Sequence, residues 1–195
     1  MQAPLISVVI PTYKDPIRLA DALASVIAQD MLDWEAIIVD DGSPATDHAA
    51  IEDILTSIND PRLRFVKSLR NRGPARARNI GIRLGQGRYW AFLDTDDLWR
   101  PEKLRTQLKA MQNAGAGLSC TAYENLSVVK GTSSIRTPPA KITYDCLLSQ
   151  NTVGCSTVMI DRAIIGRSYF PNIRMRQDFA HWLQILRAGG YAVGL

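Results

Sequence analysis

Cysteine and histidine, the side chains that most often bind zinc, are scarce in this sequence. The three cysteines have no C-x-x-C spacing, and the two histidines, His48 and His181, lie far apart. These numbers exclude a zinc site built from clustered cysteine and histidine ligands. Because the cysteine count is odd and no export signal is recognisable, we expect reduced thiols and a cytoplasmic protein.

Long apolar runs and a dinucleotide-binding fingerprint are also missing. No stretch approaches the ~20 apolar residues of a membrane-spanning helix, and no basic region precedes the apolar run at residues 5–10. That run therefore predicts a first strand rather than a signal peptide. No G-x-G-x-x-G sequence follows it, which disfavours a dinucleotide-dependent dehydrogenase. The 195 residues, 46% hydrophobic and 22% charged, are typical of one globular domain.

Acidic residues are absent from one long basic stretch. Residues 62–88 contain eight arginines, one lysine and no Asp or Glu, within a chain of net charge +4. Such a run is either a solvated face or an anion site that would bind phosphates. Only one aromatic residue, Phe65, lies among these cations, so base stacking on nucleic acid is not expected.

Strand and helix patterns alternate along the first 120 residues. Strands are predicted at residues 5–10, 36–39, 64–66, 89–93 and 118–121, and helices at 16–27, 50–58, 74–84 and 101–114. This order predicts an α/β fold with a mostly parallel sheet and helices on both faces. The second half is less regular. It contains an exposed loop or hairpin at 128–141, a strand at 155–160, a helix at 178–187 and the start of a last strand at 191–195.

Three polar sequences follow the first, second and fourth predicted strands. They are Pro11-Thr12-Tyr13, Asp40-Asp41-Gly42-Ser43 and Asp94-Thr95-Asp96-Asp97. Because ligands bind at the carboxyl ends of parallel strands, we expect all three at one edge of the sheet. Three carboxylates in four positions repel one another, which predicts a hard divalent cation, Mg²⁺ or Mn²⁺. A polar turn ahead of a helix would explain one or two of these acids, but explains three poorly.

Five motifs follow one another along the chain. They are S-V-V-I-P-T-Y at 7–13, I-I-V-D-D-G-S at 37–43, N-R-G-P-A-R-A-R-N-I-G-I at 71–82, A-F-L-D-T-D-D at 91–97 and M-R-Q-D-F-A-H-W-L-Q-I-L at 175–186. In this order they resemble the family 2 glycosyltransferases with the GT-A fold, over nearly the whole chain. The resemblance implies one Rossmann-like GT-A domain at 1–195, with a nucleotide-sugar-binding half at 1–121 and a smaller, irregular acceptor-side half at 122–195.

The resemblance also implies an activity. Such enzymes transfer a sugar, with inversion and with Mn²⁺ or Mg²⁺, from a nucleotide-diphosphate sugar to an acceptor hydroxyl. A UDP-sugar donor is favoured. We expect a glycan or lipid-linked acceptor, a role in cell-surface polysaccharide or lipopolysaccharide synthesis, no nucleic-acid partner, and peripheral association with the inner face of the membrane as an open alternative to a purely cytoplasmic location.

By resemblance, Asp178 is the catalytic base that accepts the proton of the acceptor hydroxyl. It lies near the start of a predicted helix, where the helix dipole favours an ionised carboxylate. The alternative is a first-turn Asp that only complements the dipole. Gln177 is implied as an acceptor contact, but it departs from the family pattern, which usually has Glu at this position. A neutral amide there can donate a hydrogen bond but adds no charge.

The three clustered acids receive separate roles from the resemblance. Asp96 is implied as the metal ligand. Asp94 is implied as a contact to the ribose or to the metal. Asp97 is left as an alternative ligand or as part of the turn.

The first two loops are implied to bind the nucleotide. Asp41 would accept a hydrogen bond from the base, because a carboxylate left unpaired by the wrong base is costly, and Asp40 would be structural. Pro11 and Thr12 would contribute backbone contacts. Tyr13 would stack on the base, or would be a core aromatic at the end of a strand.

Arg78 is implied as the contact to the diphosphate or the base, with Arg76 as the alternative, because the planar guanidinium group binds two phosphate oxygens at once. Every other arginine of the basic stretch is expected at the surface. Trp99 and Trp182 would line the sugar or acceptor cleft, although packing in the core is favoured for Trp182.

Two other classes of protein remain as alternatives. One is a sugar-nucleotide-binding scaffold domain without catalysis, which Gln177 keeps open. The other is a nucleotidyltransferase, which should carry a glycine-rich loop where this chain has P-T-Y-K-D-P. Relatives usually continue beyond the position of Leu195. We therefore expect a C-terminally shortened domain, and weak or absent sugar transfer by these 195 residues.

Overall fold

The computed structural model describes residues 3–127 and 131–195. In chain order its elements are β1 (Ile6–Thr12), α1 (Pro16–Ile27), β2 (Trp34–Asp40), α2 (Ala45–Ile58), β3 (Leu63–Lys67), α3 (Pro74–Leu84), β4 (Tyr89–Phe92), α4 (Lys103–Ala114), β5 (Leu118–Cys120), β6 (Tyr123–Ser127), β7 (Thr132–Arg136), β8 (Lys141–Ile142), α5 (Tyr144–Ser149), a 3₁₀ turn (Cys155–Thr157), β9 (Val158–Asp161), α6 (Arg162–Ile165), α7 (Gln177–Arg187) and β10 (Ala192–Gly194).

Eight strands form one sheet in the order β3-β2-β1-β4-β9-β5-β10-β8. The first four strands of the chain pair in parallel, and β10 pairs in parallel with β5. Strand β9 runs antiparallel between β4 and β5, and β8 runs antiparallel to β10. The predicted α/β class with a mostly parallel sheet is confirmed. The sequence pattern did not predict that β9 inserts between β4 and β5.

Successive side chains of β1 point to opposite faces of the sheet, and each face has its own core. Ile6, Val8 and Ile10 pack with α1, α2 and α4 in one hydrophobic cluster. Val9 packs with α3, α5 and α7 in another. Helices therefore cover both faces, as the strand and helix order predicts, and the loops at the carboxyl edge of the sheet stay open.

Several boundaries differ from the expectations drawn from the sequence. Helix α2 begins at Ala45 rather than near residue 50, because Pro44 occupies its N-cap position. The predicted loop or hairpin at 128–141 corresponds in part to the antiparallel pair β6–β7; residues 128–130 lie outside the described residues. Trp99 and Trp182 are both buried in the hydrophobic clusters, so they pack in the core and do not line a cleft.

Within the described ranges, no helix combines the length and the apolar character that crossing a bilayer requires.

Candidate active site

A cavity of about 350 Å³ opens at the carboxyl ends of β1, β2 and β4. Its lining includes six of the predicted substrate-binding residues, together with the predicted metal ligand Asp96. The lining residues are Pro11, Thr12, Tyr13, Asp41, Asn71, Gly73, Pro74, Arg78, Asp94, Thr95 and Asp96. All three strand-end sequences thus contribute to one cavity, as the position of the strands predicts.

A second cavity, of about 420 Å³, lies between α2 and β3. Although it is larger, its only carboxylate is Asp60, whose side chain forms an ion pair of 2.6 Å with Arg62. The hydrogen bond from Arg62 lowers the pKa of Asp60, so this carboxylate already has its cation. The smaller cavity is lined by three carboxylates, of which Asp96 forms no hydrogen bond or ion pair with the described residues, and it is the better candidate for a site.

The two acids that end β2 have different partners. Asp40 is buried, and its oxygens accept a hydrogen bond of 2.9 Å from the Ser43 amide and contact Nδ1 of His48 at 2.9 Å. Asp41 accepts hydrogen bonds from the amides of Arg72, at 3.0 Å, and Gly73, at 2.7 Å. Asp40 therefore holds its own turn together, in agreement with the structural role predicted for it. Asp41 ties the end of β2 to the segment that leads into α3.

Burial raises the pKa of Asp41, although the amide hydrogen bonds from Arg72 and Gly73 oppose the rise. The same side chain lines the cavity, so an oxygen that binds these amides lies beside the space a ligand would fill. Its role toward a nucleotide base stays a prediction.

Gly42 allows the two segments to approach each other. It has a φ of +78°, and a Cβ atom at this position would lie 2.6 Å from the carbonyl carbon of Arg70. Any other residue would be strained in this conformation and would push the backbone of Arg70 away. The glycine of the D-D-G-S sequence is thus required by the close packing of the two loops.

Arg78 points from α3 toward the acidic loop after β4. Its side chain is almost fully buried, and Nη2 donates a hydrogen bond of 2.5 Å to Oδ1 of Asp94. Burial by itself would lower the pKa of Arg78. The neighbouring Cys155, Asp94 and Asp178 outweigh that effect and raise the pKa above its ordinary value. Arg76, the alternative candidate, is exposed on the same helix.

The Asp94-Thr95-Asp96-Asp97 turn is anchored at its first residue. The amide of Asp94 donates a hydrogen bond of 3.0 Å to Oγ of Ser156. Asp96 is exposed and forms no hydrogen bond or ion pair with the described residues. Partial desolvation raises the pKa of Asp97, and the neighbouring charges of Asp96 and Asp94 add to the rise. A hydrogen bond with Ser156 opposes it. The three carboxylates of this turn, with Arg78 as the cation bound to Asp94, leave this part of the site with more negative than positive charge.

The described residues contain no group of three or more His, Cys, Asp or Glu side chains placed to hold a metal ion. A divalent ion that binds one or two carboxylates and takes its remaining oxygens from a substrate diphosphate does not need such a group. Asp96 is exposed and has no partner among the described residues, and Oδ1 of Asp94 binds Arg78; both are oxygen donors of this kind on the cavity wall. The donor set therefore fits Mg²⁺ or Mn²⁺ bound together with a ligand.

Asp178 is the second residue of α7 and is half-buried. It does not line the cavity, but its charge acts on Arg78, which does. Gln177 is buried, and its side-chain amide donates a hydrogen bond of 3.4 Å to the carbonyl of Arg174. The structure therefore places Asp178 near Arg78. Gln177 contacts its own loop, and its role toward an acceptor stays a prediction.

His181, one turn after Asp178, was not selected from the sequence. It is fully buried, its Nε2 lies 2.7 Å from Oγ of Ser168, and its ring lies 4.4 Å from the ring of Phe170. Burial, followed by the charge of Arg78, lowers the pKa of His181 to about 3. The helical pattern of residues 178–187 could have indicated that His181 is buried, because His181 lies on the apolar face of that helix.

A sequence profile described as "Glycosyl transferase family 2" matches residues 7–165 of the chain. The chain belongs to glycosyl transferase family 2. The predicted family, and with it the prediction of a glycosyltransferase, is confirmed.

Similar proteins of this family include TuaG of Bacillus subtilis (strain 168), whose name assigns it to teichuronic acid biosynthesis. It is 42% identical over 196 residues, which cover 98% of this chain and 76% of TuaG. WfgD of Escherichia coli is named a UDP-Glc:alpha-D-GlcNAc-diphosphoundecaprenol beta-1,3-glucosyltransferase. It is 30% identical over 185 residues, 94% of this chain and 70% of WfgD.

Two solved structures resemble the fold of this glycosyl transferase family 2 chain. S. aureus TarS 1-349 has a TM-score of 0.75 at 19% identity over 97% of this chain and 60% of its own. The mannosyltransferase PcManGT from Pyrobaculum calidifontis, in complex with GDP-Man and Mn²⁺, has a TM-score of 0.76 at 20% identity, over 99% of this chain and 55% of its own. The chain thus spans little more than half the length of these two proteins, whose fold it shares.

Proposed function

We propose that the cavity binds a nucleotide-diphosphate sugar and that the sugar is transferred, with inversion, to an acceptor hydroxyl. The observation that carries this proposal is the lining of a single cavity. One end has Tyr13 and Asp41, which suit a nucleotide base, and the other has Asp94 and Asp96, which suit a metal-bound diphosphate. A volume of about 350 Å³ lies within the range of small-molecule sites.

UDP is the favoured nucleotide. WfgD and WfaP of Escherichia coli carry UDP-Glc in their names, and TarS has been crystallised with UDP and with UDP-GlcNAc. In this chain the amide-bound carboxylate of Asp41 would accept a hydrogen bond from a ring N–H of the base. Tyr13, which is 41% exposed and lines the same cavity, would stack on the base.

Asp96, supported by Asp94, would hold Mn²⁺ or Mg²⁺ once the diphosphate supplies its own oxygens. The ion would contribute positive charge against the leaving diphosphate. PcManGT provides a precedent for Mn²⁺ in this fold. Arg78, already bound to Asp94, would stabilise negative charge on the same side of the sugar.

Asp178 would act as the base. Its carboxylate would accept the proton of the acceptor hydroxyl while the hydroxyl oxygen attacks the anomeric carbon, and the bond from that carbon to the diphosphate oxygen would break. Because attack comes from the face opposite the leaving group, the anomeric configuration inverts. Asp178 lies on α7 and Asp94 follows β4, and the charges of both act on Arg78, which supports this division between acceptor and donor sides.

The acceptor we propose is a lipid-linked glycan. WfgD and WfaP are both named for a diphosphoundecaprenol acceptor. Just before Asp178, the exposed residues Ile173, Arg174, Met175 and Arg176 alternate apolar and basic side chains. Such a segment suits peripheral contact with an anionic lipid surface.

The test combines ligand binding with turnover. UDP, GDP, TDP and the corresponding triphosphates are titrated with and without Mn²⁺, and hydrolysis of the matching sugar nucleotides is then assayed for the wild type, Asp178→Asn and Asp145→Asn. Asp145 is an exposed first-turn acid of α5 that does not line the cavity. It therefore controls for loss of a helix-dipole interaction alone.

Metal-dependent binding with hydrolysis abolished only by Asp178→Asn is the expected result. Binding without turnover in any variant, even with candidate acceptors, would favour the scaffold domain. If the triphosphate bound much more tightly than the diphosphate and pyrophosphate were released, the nucleotidyltransferase would be favoured. Absence of all nucleotide binding would refute the proposal.

A further inference from the structure

Phe170 lies where three parts of the proposed site meet. Its ring packs against Phe92 of β4, with centroids 5.1 Å apart, and against His181 and Trp182 of α7 at 4.4 and 5.4 Å. Strand β4 leads directly into Asp94, and α7 carries Asp178 one turn before His181. The Phe170 ring is therefore a spacer between the strand that presents Asp94 and the helix that presents Asp178.

The backbone of Phe170 is held by a single side chain of α3. Nδ2 of Asn79 donates a hydrogen bond of 2.8 Å to the Phe170 carbonyl, and the Phe170 amide donates one of 2.8 Å to Oδ1 of Asn79. The two residues are 91 positions apart in the sequence. This pair of hydrogen bonds fixes both the distance of the loop from α3 and its orientation, because the Asn79 amide group cannot rotate without breaking both bonds.

Asn79 is the immediate neighbour of Arg78, which binds Asp94 and whose guanidinium group lies 5.3 Å from the Phe170 ring centroid. Two consecutive residues of α3 thus hold the two sides of the site, Arg78 the donor side and Asn79 the acceptor side. Ser168, through its contact of 2.7 Å with His181, ties the same loop to α7.

We propose that Asn79 is a positioning residue that sets the separation of Asp94 and Asp178 by holding Phe170 between β4 and α7. This inference rests on the proposed function, because the separation matters only if a donor bound at Asp94 must meet a base at Asp178. A misplacement of about 1 Å in such a site can lower the rate roughly 100-fold. Binding of UDP and Mn²⁺ should be little affected, because Arg78 and Ser156 still hold Asp94 when Asn79 no longer holds Phe170.

The experiment compares the wild type with Asn79→Ala, Asn79→Asp and the control Asn113→Ala, a loss of asparagine from an exposed position of α4. For Asn79→Ala we expect kcat for sugar-nucleotide hydrolysis to fall about 10- to 100-fold, with donor KM and the Kd of UDP and Mn²⁺ within about twofold. Asn79→Asp keeps the acceptor for the Phe170 amide and loses the donor to the Phe170 carbonyl. Its kcat should therefore lie between that of the wild type and that of Asn79→Ala. Asn113→Ala should match the wild type.

Limited tryptic digestion provides a readout that does not depend on activity. Arg167, Arg174 and Arg176 are exposed in the segment that the Asn79–Phe170 pair holds. Cleavage after these residues should accelerate several-fold in Asn79→Ala and remain at the wild-type rate in Asn113→Ala. An unchanged kcat, or equal losses in kcat and UDP affinity, would overturn the proposal. If the wild type binds no nucleotide, the proposed function fails. If Asn79→Ala is digested at the wild-type rate, the Asn79–Phe170 hydrogen bonds do not hold the loop and the proposal is refuted.

Discussion

Arg78 of α3 and Asp94, which follows β4, are joined by a hydrogen bond of 2.5 Å between a buried guanidinium group and a carboxylate on the cavity wall. Replacing Arg78 with Ala leaves that carboxylate without its cation. We expect the free energy of unfolding to fall by roughly 1.5 to 3 kcal/mol, the usual range for a hydrogen bond to a charged group. Urea denaturation would measure this.

Arg78→Lys separates charge from geometry in the same pair. It keeps the positive charge but loses the planar fork, so it should recover part of the lost stability. An Arg78→Ala protein as stable as the wild type would mean that the ion pair contributes nothing to folding.

Asp96 and Asp97 are neighbours, but the proposed metal role belongs to Asp96. Asp96→Asn should weaken Mn²⁺-dependent UDP binding at least as much as loss of an outer-shell partner does in metal sites, about 10- to 100-fold. Asp97→Asn should change it only a few-fold. Isothermal titration of UDP at fixed Mn²⁺ compares the two, and the reverse order would assign the ion to Asp97.

His181 makes the stability of the fold depend on acid pH. Its folded pKa of about 3 lies below the ordinary value of 6.5, so between these values the unfolded chain binds a proton that the folded chain does not. Stability is therefore lost as pH falls from 6.5 toward 3, with a slope of up to about 1.4 kcal/mol per pH unit from this group. Urea unfolding between pH 4.5 and 7 measures the slope.

His181→Phe is the matched variant, since Phe retains a ring against Phe170 and Trp182. Other groups titrate in the same range, so the informative quantity is the difference in slope between the two proteins. Equal slopes would show that His181 is protonated in the folded state.

Lys103 should make stability depend on alkaline pH. Its side chain is buried, Nζ lies 4.1 Å from the Trp99 ring centroid and donates a hydrogen bond of 2.7 Å to Gln107, and burial lowers its pKa to about 7. Between pH 7 and 10.5 the unfolded chain binds the additional proton, so this group makes stability rise with pH.

Lys103→Met removes the buried cation and should remove that dependence. At pH 6 we expect a gain of roughly 1 to 2 kcal/mol, because relief from burying a charge exceeds the loss of one hydrogen bond to Gln107. Thermal unfolding across pH 6 to 10 would check both effects. A loss of stability at pH 6 would indicate that the bond to Gln107 outweighs the desolvation of Lys103.

Alternation of strands and helices was sufficient to predict the edge at which the site lies. Parallel strands separated by helices must end at one edge, so the sequences after β1, β2 and β4 had to meet there. The burial of Asp40 in its own turn agrees with the structural role expected for it, whereas the metal role of Asp96 stays a prediction. The hydrogen bonds from the backbone amides of Arg72 and Gly73 to Asp41 were not predicted, because no local sequence pattern marks a backbone donor 31 or 32 positions away.

The sequence by itself determined the residue types of this chain and their order: the apolar runs that become the sheet, the acids at the strand ends and the arginines of α3. Local periodicity and turn chemistry depend on near neighbours, so they can be read along the chain. Only the tertiary structure decided that Arg78 binds Asp94, that Asn79 holds Phe170 and that α7 brings Asp178 toward them. The first two of these contacts join residues 16 and 91 positions apart, and all three form only when packing on both faces of the sheet brings the elements together.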